Sequence, residues 1–233
     1  MSRSCTPGPP EACYSRAIMS GFVKICGLST AETVDASVAR GASHVGFVFY
    51  PRSPRNIAPA AAGNLIARLP DHVVPVALTV DADDATIAAI LAEAPVKMLQ
   101  AHGSESPERV ADLRRRFGLP VMKAIGIADP ADVARAHDYE AVADLLLLDA
   151  KAPKKGLPGG NGLAFDWGLI ANEGWSRPWF LAGGLTPDTV AEAIRIAGAR
   201  AVDVSSGVES APGVKDIGLI AAFLAAARSQ FEE

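Results

Sequence analysis

Cys26 closes the apolar run Phe22-Val-Lys-Ile-Cys-Gly27, and Asp149 stands near the end of Asp144-Leu-Leu-Leu-Leu-Asp-Ala150. If both runs are strands, a thiol and a carboxyl reach strand ends more than a hundred residues apart in sequence. A thiolate removes protons and a carboxylic acid delivers them, so the pair suits proton transfer on a small molecule. Each residue also has a plainer reading. A strand cysteine is commonly a small buried hydrophobe, and an aspartate after four leucines is either a loop cap or an acid with a raised pKa. Lys24 shares strand parity with Cys26, and a lysine on that face would favour the thiolate.

Two further segments carry polar groups suited to anions. Leu181-Ala-Gly-Gly-Leu-Thr-Pro187 and Val204-Ser-Ser-Gly-Val208 each follow a short apolar run. In them Gly183, Gly184 and Gly207 let backbone N–H groups approach a phosphate, and Ser205 and Ser206 add hydroxyl donors. Pro51-Arg-Ser-Pro-Arg55 places Arg55 where a guanidinium fork meets a carboxylate or, equally, lies on a soluble surface loop. His102, ending Leu99-Gln-Ala-His-Gly103, is either a site residue or a satisfied structural histidine.

The elements that must position these groups alternate along the chain. Strand-like runs occur at Phe22–Cys26, Val45–Phe49, Val73–Val80, Val96–Gln100, Val121–Ile127, Leu145–Leu148, Trp179–Leu181 and Ala201–Val204. Alanine-rich amphipathic stretches fall between and after them: Ala31–Arg40, Ala58–Leu69, Asp84–Glu93, Pro107–Phe117, Asp129–Ala136, Asp166–Ala171, Pro187–Ala197 and Ile217–Phe231. Such alternation calls for parallel pairing with right-handed crossovers, and about eight units suit a closed (β/α)₈ barrel. An open doubly wound sheet would want G-x-G-x-x-G in its first turn, where this chain has Cys26-Gly-Leu-Ser-Thr. In the barrel, Cys26 and Asp149 come to one rim, and the two glycine-serine segments follow strands seven and eight, the recurrent phosphate position of that fold. Ser29 or Thr30, Ser106 and Thr186 mark helix starts, and Gly41, Gly118 and Gly198 mark helix ends. Lys151 to Phe165, containing Pro158-Gly-Gly-Asn-Gly162, reads as a long mobile loop over the site.

With 49% hydrophobic and 21% charged residues, the 233-residue chain has ample core for a soluble barrel. A net charge of −4 without a basic patch points away from nucleic acid, and Arg114-Arg-Arg116 reads as a solvated helix end. No apolar run approaches a membrane span. Three cysteines, two of them in the leader, suggest no disulfide framework, and the four scattered histidines suggest no metal site. Residues 1–19 read as a disordered extension, with Met19 an alternative start, and 20–233 as the barrel domain.

Together these residues resemble phosphoribosylanthranilate isomerase of tryptophan biosynthesis. The resemblance runs through Lys24-Ile-Cys-Gly27, Gly46-Phe-Val-Phe-Tyr-Pro-Arg-Ser-Pro-Arg55, Leu147-Leu-Asp149, Gly159-Gly-Asn-Gly162 with Phe165-Asp-Trp167, Ala182-Gly-Gly-Leu185 and Val202-Asp-Val-Ser-Ser-Gly-Val-Glu209. It implies a TIM barrel of the ribulose-phosphate-binding type and an Amadori rearrangement of N-(5-phosphoribosyl)anthranilate to the 1-deoxyribulose 5-phosphate product. By the resemblance Cys26 is the general base and Asp149 the general acid. Arg55 grips the anthranilate carboxylate, with His102 also in the substrate site and Asp203 close to the sugar. Gly183, Gly184, Ser205, Ser206 and Gly207 hold the phosphate. It also implies no metal or organic cofactor, a small-molecule phosphosugar substrate, and a monomer or homodimer, while the unpaired Cys26 thiol fits a cytoplasmic location. The chain departs from the family at Ala101 and Thr186, where leucine and asparagine are usual. The rivals are another phosphosugar enzyme on the same barrel, or a barrel that binds such a ligand without turning it over.

Overall fold

A computed structural model describes residues 21–151, 162 and 164–232. The leader 1–19, and with it the start at Met19, lie outside the described residues, as does most of the 151–165 excursion, including Gly159, Gly160 and Asn161.

Eight parallel strands close into a barrel in sequence order. They are β1 (Phe22–Cys26), β2 (His44–Phe49), β3 (Val74–Thr79), β4 (Met98–Ala101), β5 (Val121–Ile127), β6 (Leu145–Ala150), β7 (Trp179–Leu181) and β8 (Ala201–Val204). Helices α1 (Ala31–Ala39), α2 (Pro59–Ile66), α3 (Asp84–Glu93), α4 (Pro107–Phe117), α5 (Pro130–His137), α6 (Val190–Ala197) and α7 (Ile217–Phe231) form the outer layer. After β8 come a 3₁₀ turn (Ser206–Val208) and a small antiparallel hairpin, β9 (Glu209–Ala211) and β10 (Val214–Lys215).

Two differences from the sequence reading are local. The Asp166–Ala171 stretch is a single 3₁₀ turn, Trp167–Ile170, begun by the Asp166 carboxylate on Gly168 N at 2.9 Å and followed by Asn172 at φ +60°. Six residues with a glycine inside are too few to propagate an α-helix. The helix expected from Pro187 begins at Val190, because Thr186 and Thr189 bond each other (Thr186 N to Thr189 Oγ1, 3.0 Å) and hold 187–189 as a turn. Five other helices have side-chain caps, Thr30, Asp83, Ser106, Asp129 and Asp216 each accepting from a first-turn N–H, worth about 1 kcal/mol apiece, while α2 follows Ala58 and opens on Pro59 without one. Arg114, Arg115 and Arg116 end α4 in ion pairs to Asp144, Asp112 and Asp84, as a solvated helix end should.

Strand parity divides the core in two. Outward residues such as Val23, Ile25, Val45, Phe47, Leu146 and Leu148 pack under the helices. Inward residues fill the barrel: Val76, Met98, Met122, Leu145, Leu147 and Phe180 form its middle. Toward the N-terminal rim, His44 sits edge-on to Phe22 and Phe180 at centroid distances of 5.3 and 5.2 Å. Burial, with the nearby Lys24 charge, pushes its pKa down to about 3 and keeps it neutral. Toward the C-terminal rim, Cys26, Val48 and Leu78 make a third layer, and above it the barrel opens.

Candidate active site

The opening is a cleft at the mouth of the barrel. Its walls include Cys26, Arg55, His102, Asp149, Asp203, Gly183, Gly184 and the Ser205-Ser206-Gly207 turn. Every candidate catalytic, substrate-binding and phosphate-binding residue therefore reaches one cavity at the C-terminal rim. It gets there by inward parity on β1, β6 and β8 and by the loops that follow β2, β4, β7 and β8.

Cys26 is 3% exposed and lies beside Gly46 of β2, its register partner. A Cβ at Gly46 would fall 2.8 Å from Cys26 Sγ, so the thiol occupies space that only glycine leaves. Lys24, two residues below on the same face, is fully buried and donates to Asp203 Oδ1 at 2.8 Å. Burial works to lower the Lys24 pKa, but Asp203 and Cys26 outweigh it and the net shift is upward. For Cys26, burial is the largest influence and raises the pKa; Lys24 and Lys215 pull it down and Asp203 pushes it up. The lysine expected to favour the thiolate is thus shared with Asp203, and burial holds the thiol pKa above its ordinary value.

Across the cleft, Asp149 accepts Ala150 N at 2.8 Å through Oδ1, and its Oδ2 is 3.2 Å from His102 Nε2. The other ring nitrogen of His102 faces Gln100 Nε2 at 2.8 Å. An amide N–H donating there leaves Nε2 as the protonated nitrogen, aimed at the carboxylate. The loop bearing His102 is pinned by a second buried pair, Lys123 Nζ to Glu105 Oε2 at 2.7 Å, while Glu105 also accepts the N–H groups of Asp81 and Gly103.

Arg55 is buried, and its Nε and Nη2 make a fork to Glu209 Oε1 and Oε2 at 2.7 and 2.8 Å. Its carboxylate partner in this structure is thus internal. Glu209 also accepts from Lys215 Nζ at 2.7 Å. Burial raises the Glu209 pKa, yet Arg55 and Lys215 prevail and hold the carboxyl below its ordinary range. Gly183 and Gly184 turn at φ +86° and +66°. The two glycine-serine turns touch: a Cβ on Gly207 would fall 1.8 Å from Leu185 O. Ser205 Oγ donates to Cys26 O at 3.1 Å, tying the β8 turn to the strand that carries the thiol.

The family model for N-(5'phosphoribosyl)anthranilate isomerase matches residues 23–226. The chain belongs to that family. The isomerase of Cereibacter sphaeroides is 58% identical over 207 residues, which is 88% of this chain and 98% of the relative. That of Paracoccus denitrificans is 56% identical over 210 residues, 90% of this chain and 98% of the relative. Among solved structures, the Thermotoga maritima isomerase superposes with a TM-score of 0.81 at 38% identity, covering 90% of this chain and 99% of that one. An isomerase in complex with reduced 1-(o-carboxyphenylamino)-1-deoxyribulose 5-phosphate superposes at 0.79 and 36% identity, covering the same 90% and 99%. Four residues of this isomerase site escape a reading of the chain alone. Gly46 and Glu209 stand inside the quoted motifs with no chemistry to mark them, Gln100 reads as one more strand residue, and Lys215 carries no local signal at all.

Proposed function

We propose that the chain catalyses the family's reaction, the rearrangement of N-(5'-phosphoribosyl)anthranilate to 1-(2-carboxyphenylamino)-1-deoxyribulose 5-phosphate in tryptophan biosynthesis, with Cys26 and Asp149 as its proton carriers. One observation supports this assignment above the rest: a thiol on β1 and a carboxyl on β6 face one cleft whose rim is completed by the two glycine-serine turns.

In this mechanism Asp149 gives a proton to the furanose ring oxygen as the anilino nitrogen pushes the ring open to a Schiff base. The carboxylate left behind accepts the Nε2–H of His102, whose tautomer Gln100 sets. Cys26, as thiolate, takes the proton from C2′, and the enolamine so formed tautomerises to the ketone. Because burial holds the thiol above its ordinary pKa, against Lys24 and Lys215, turnover rises with pH as Cys26 ionises. Gly183, Gly184, Ser205, Ser206 and Gly207 bind the phosphate by N–H and hydroxyl donation, and Asp203, held by Lys24, lies toward the sugar. Arg55 meets the anthranilate carboxylate with its guanidinium fork. Residues 20–233 act as one catalytic domain behind a 1–19 extension, as a monomer or homodimer in the cytoplasm. No described helix is long and apolar enough to cross a membrane.

The test follows the loss of anthranilate fluorescence from freshly made phosphoribosylanthranilate. Cys26→Ala and Asp149→Asn should each slow turnover by at least about 100-fold while inorganic phosphate still binds. Near-normal turnover in either folded variant overturns its role.

A further inference from the structure

The hairpin β9–β10 stands outside the barrel, yet its last residue is among the most enclosed charges in the protein. The Lys215 side chain is 1% exposed. Its Nζ donates to Ser205 O at 2.8 Å, Ser205 Oγ at 3.2 Å and Glu209 Oε1 at 2.7 Å. Three acceptors around one nitrogen match the three N–H groups of an ammonium; burial lowers the Lys215 pKa, and the Glu209 carboxylate opposes that shift. The contacts lead in two directions. Through Glu209 they reach the Arg55 fork, and through Ser205 they reach the β8 turn and the carbonyl of Cys26. The hairpin is also seated on the Arg55 loop: Gly213 N donates to Glu209 Oε2 at 3.2 Å, and a Cβ at Gly213 would fall 2.6 Å from Pro54 O.

Charge gives the arrangement its purpose. Lys24 is matched by Asp203 and Arg55 by Glu209, so on this side of the cleft, across from Asp149, Lys215 makes three cations to two carboxylates. A ligand bearing both a phosphate and a carboxylate needs such an excess, and needs its two anion sites at a fixed separation. We propose that Lys215 is a positioning residue for both ends of the substrate, orienting Arg55 through Glu209 and the phosphate turn through Ser205. This rests on the assignment above of Arg55 to the carboxylate and of 205–207 to the phosphate.

Lys215→Met removes the charge and all three donors but leaves the Arg55–Glu209 pair intact, so no buried charge is orphaned. Lys215→Gln keeps an amide donor and drops the charge. Steady-state kinetics with phosphoribosylanthranilate, and competition by inorganic phosphate, are measured on both variants beside wild type and Arg55→Met. For Lys215→Met the expected result is a KM raised by about 10- to 100-fold, as befits lost charge-assisted hydrogen bonds, with kcat held within about threefold. Phosphate competes more weakly as well, and Lys215→Gln shifts both constants in the same direction by less. If wild type does not turn the substrate over, the functional assignment fails and takes this proposal with it; if Arg55→Met leaves KM unchanged, the carboxylate assignment fails alone among the site roles and the Arg55 branch goes too. With both of those intact, an unchanged KM in folded Lys215→Met overturns the role of Lys215. So does a fall in kcat at constant KM, or failure of both Lys215 variants to fold, which would mark the lysine as a structural pin.

Discussion

Replacing Gly46 by alanine adds one methyl group, and the structure indicates what it meets. The new Cβ would lie 2.8 Å from Cys26 Sγ, 3.1 Å from Cys26 Cα and 3.3 Å from Cys26 Cβ. Comfortable contacts between such atoms are about 3.5–4.0 Å, so the sulfur must move by roughly 1 Å or the strands must part. Parting is resisted, since β1 and β2 are in register at Cys26 and Gly46, and Gly46 O accepts both Gly27 N at 2.8 Å and Leu28 N at 3.1 Å. Gly46 is not among the positive-φ residues, so alanine alone would stabilise the backbone by about 0.4–1 kcal/mol. Overpacking costs about 1–3 kcal/mol and wins, leaving a modest net loss of stability. The effect on rate is larger, because a displacement of about 1 Å in a reacting group costs on the order of 100-fold. The assay is fluorescence-detected turnover beside a thermal melt, with Gly174→Ala as control, since a Cβ there meets nothing within 4 Å. Turnover of Gly46→Ala within about threefold of wild type would refute the claim that Gly46 seats the thiol.

Two further perturbations probe the charges. Lys24→Met strands Asp203 in the barrel, which should cost about 3–5 kcal/mol and lower the melting temperature by roughly 6–20 °C; Lys24→Met with Asp203→Leu should recover most of that, and a double variant no more stable than the single would refute it. His137 is bonded by Glu140 and Glu173 and stacked on Trp175 at 4.3 Å, and those hydrogen bonds, Glu140 first, raise its pKa above 6.5. A raised histidine pKa stabilises fully below the unfolded value and loses that contribution as pH climbs through the folded one. The gap in melting temperature between wild type and His137→Gln should therefore be widest in mild acid and close above neutrality, and a gap independent of pH would exclude the linkage.

Much of the barrel was legible because its signal is local. Phe22–Cys26, Val121–Ile127, Trp179–Leu181 and Ala201–Val204 are strands over those same residues, each a short apolar run bounded by polar or turn residues. Parity carries further, placing Lys24 on the strand face of Cys26 from the sequence alone. What parity could not supply was partners. Lys24 meets Asp203 across 179 residues and Arg55 meets Glu209 across 154, and nothing in either neighbourhood announces the other. The expectation for the Lys24 charge shifted for that reason. The helix starts at Asp166 and Pro187 are not legible in the sequence, because side-chain bonds of a few residues, Asp166 to Gly168 and Thr186 to Thr189, decide where an α-helix can begin.

The order of the strands around the barrel also divides the reaction between two halves of the gene product. Cys26, Arg55 and His102 come from β1–β4 and the loops that follow them, while Asp149, both glycine-serine turns and Lys215 come from β5 onward. A chain severed in the exposed turn at Gly118 would yield one fragment with the Cys26 thiol and no Asp149, and another with Asp149 and no thiol. Two seams must close to reunite them, β4 on β5 and β8 on β1, and the second is fastened by Lys24 and Asp203. On the proposed roles neither fragment turns over alone, which lays the isomerase out as a split reporter whose signal is the re-docking of its own halves.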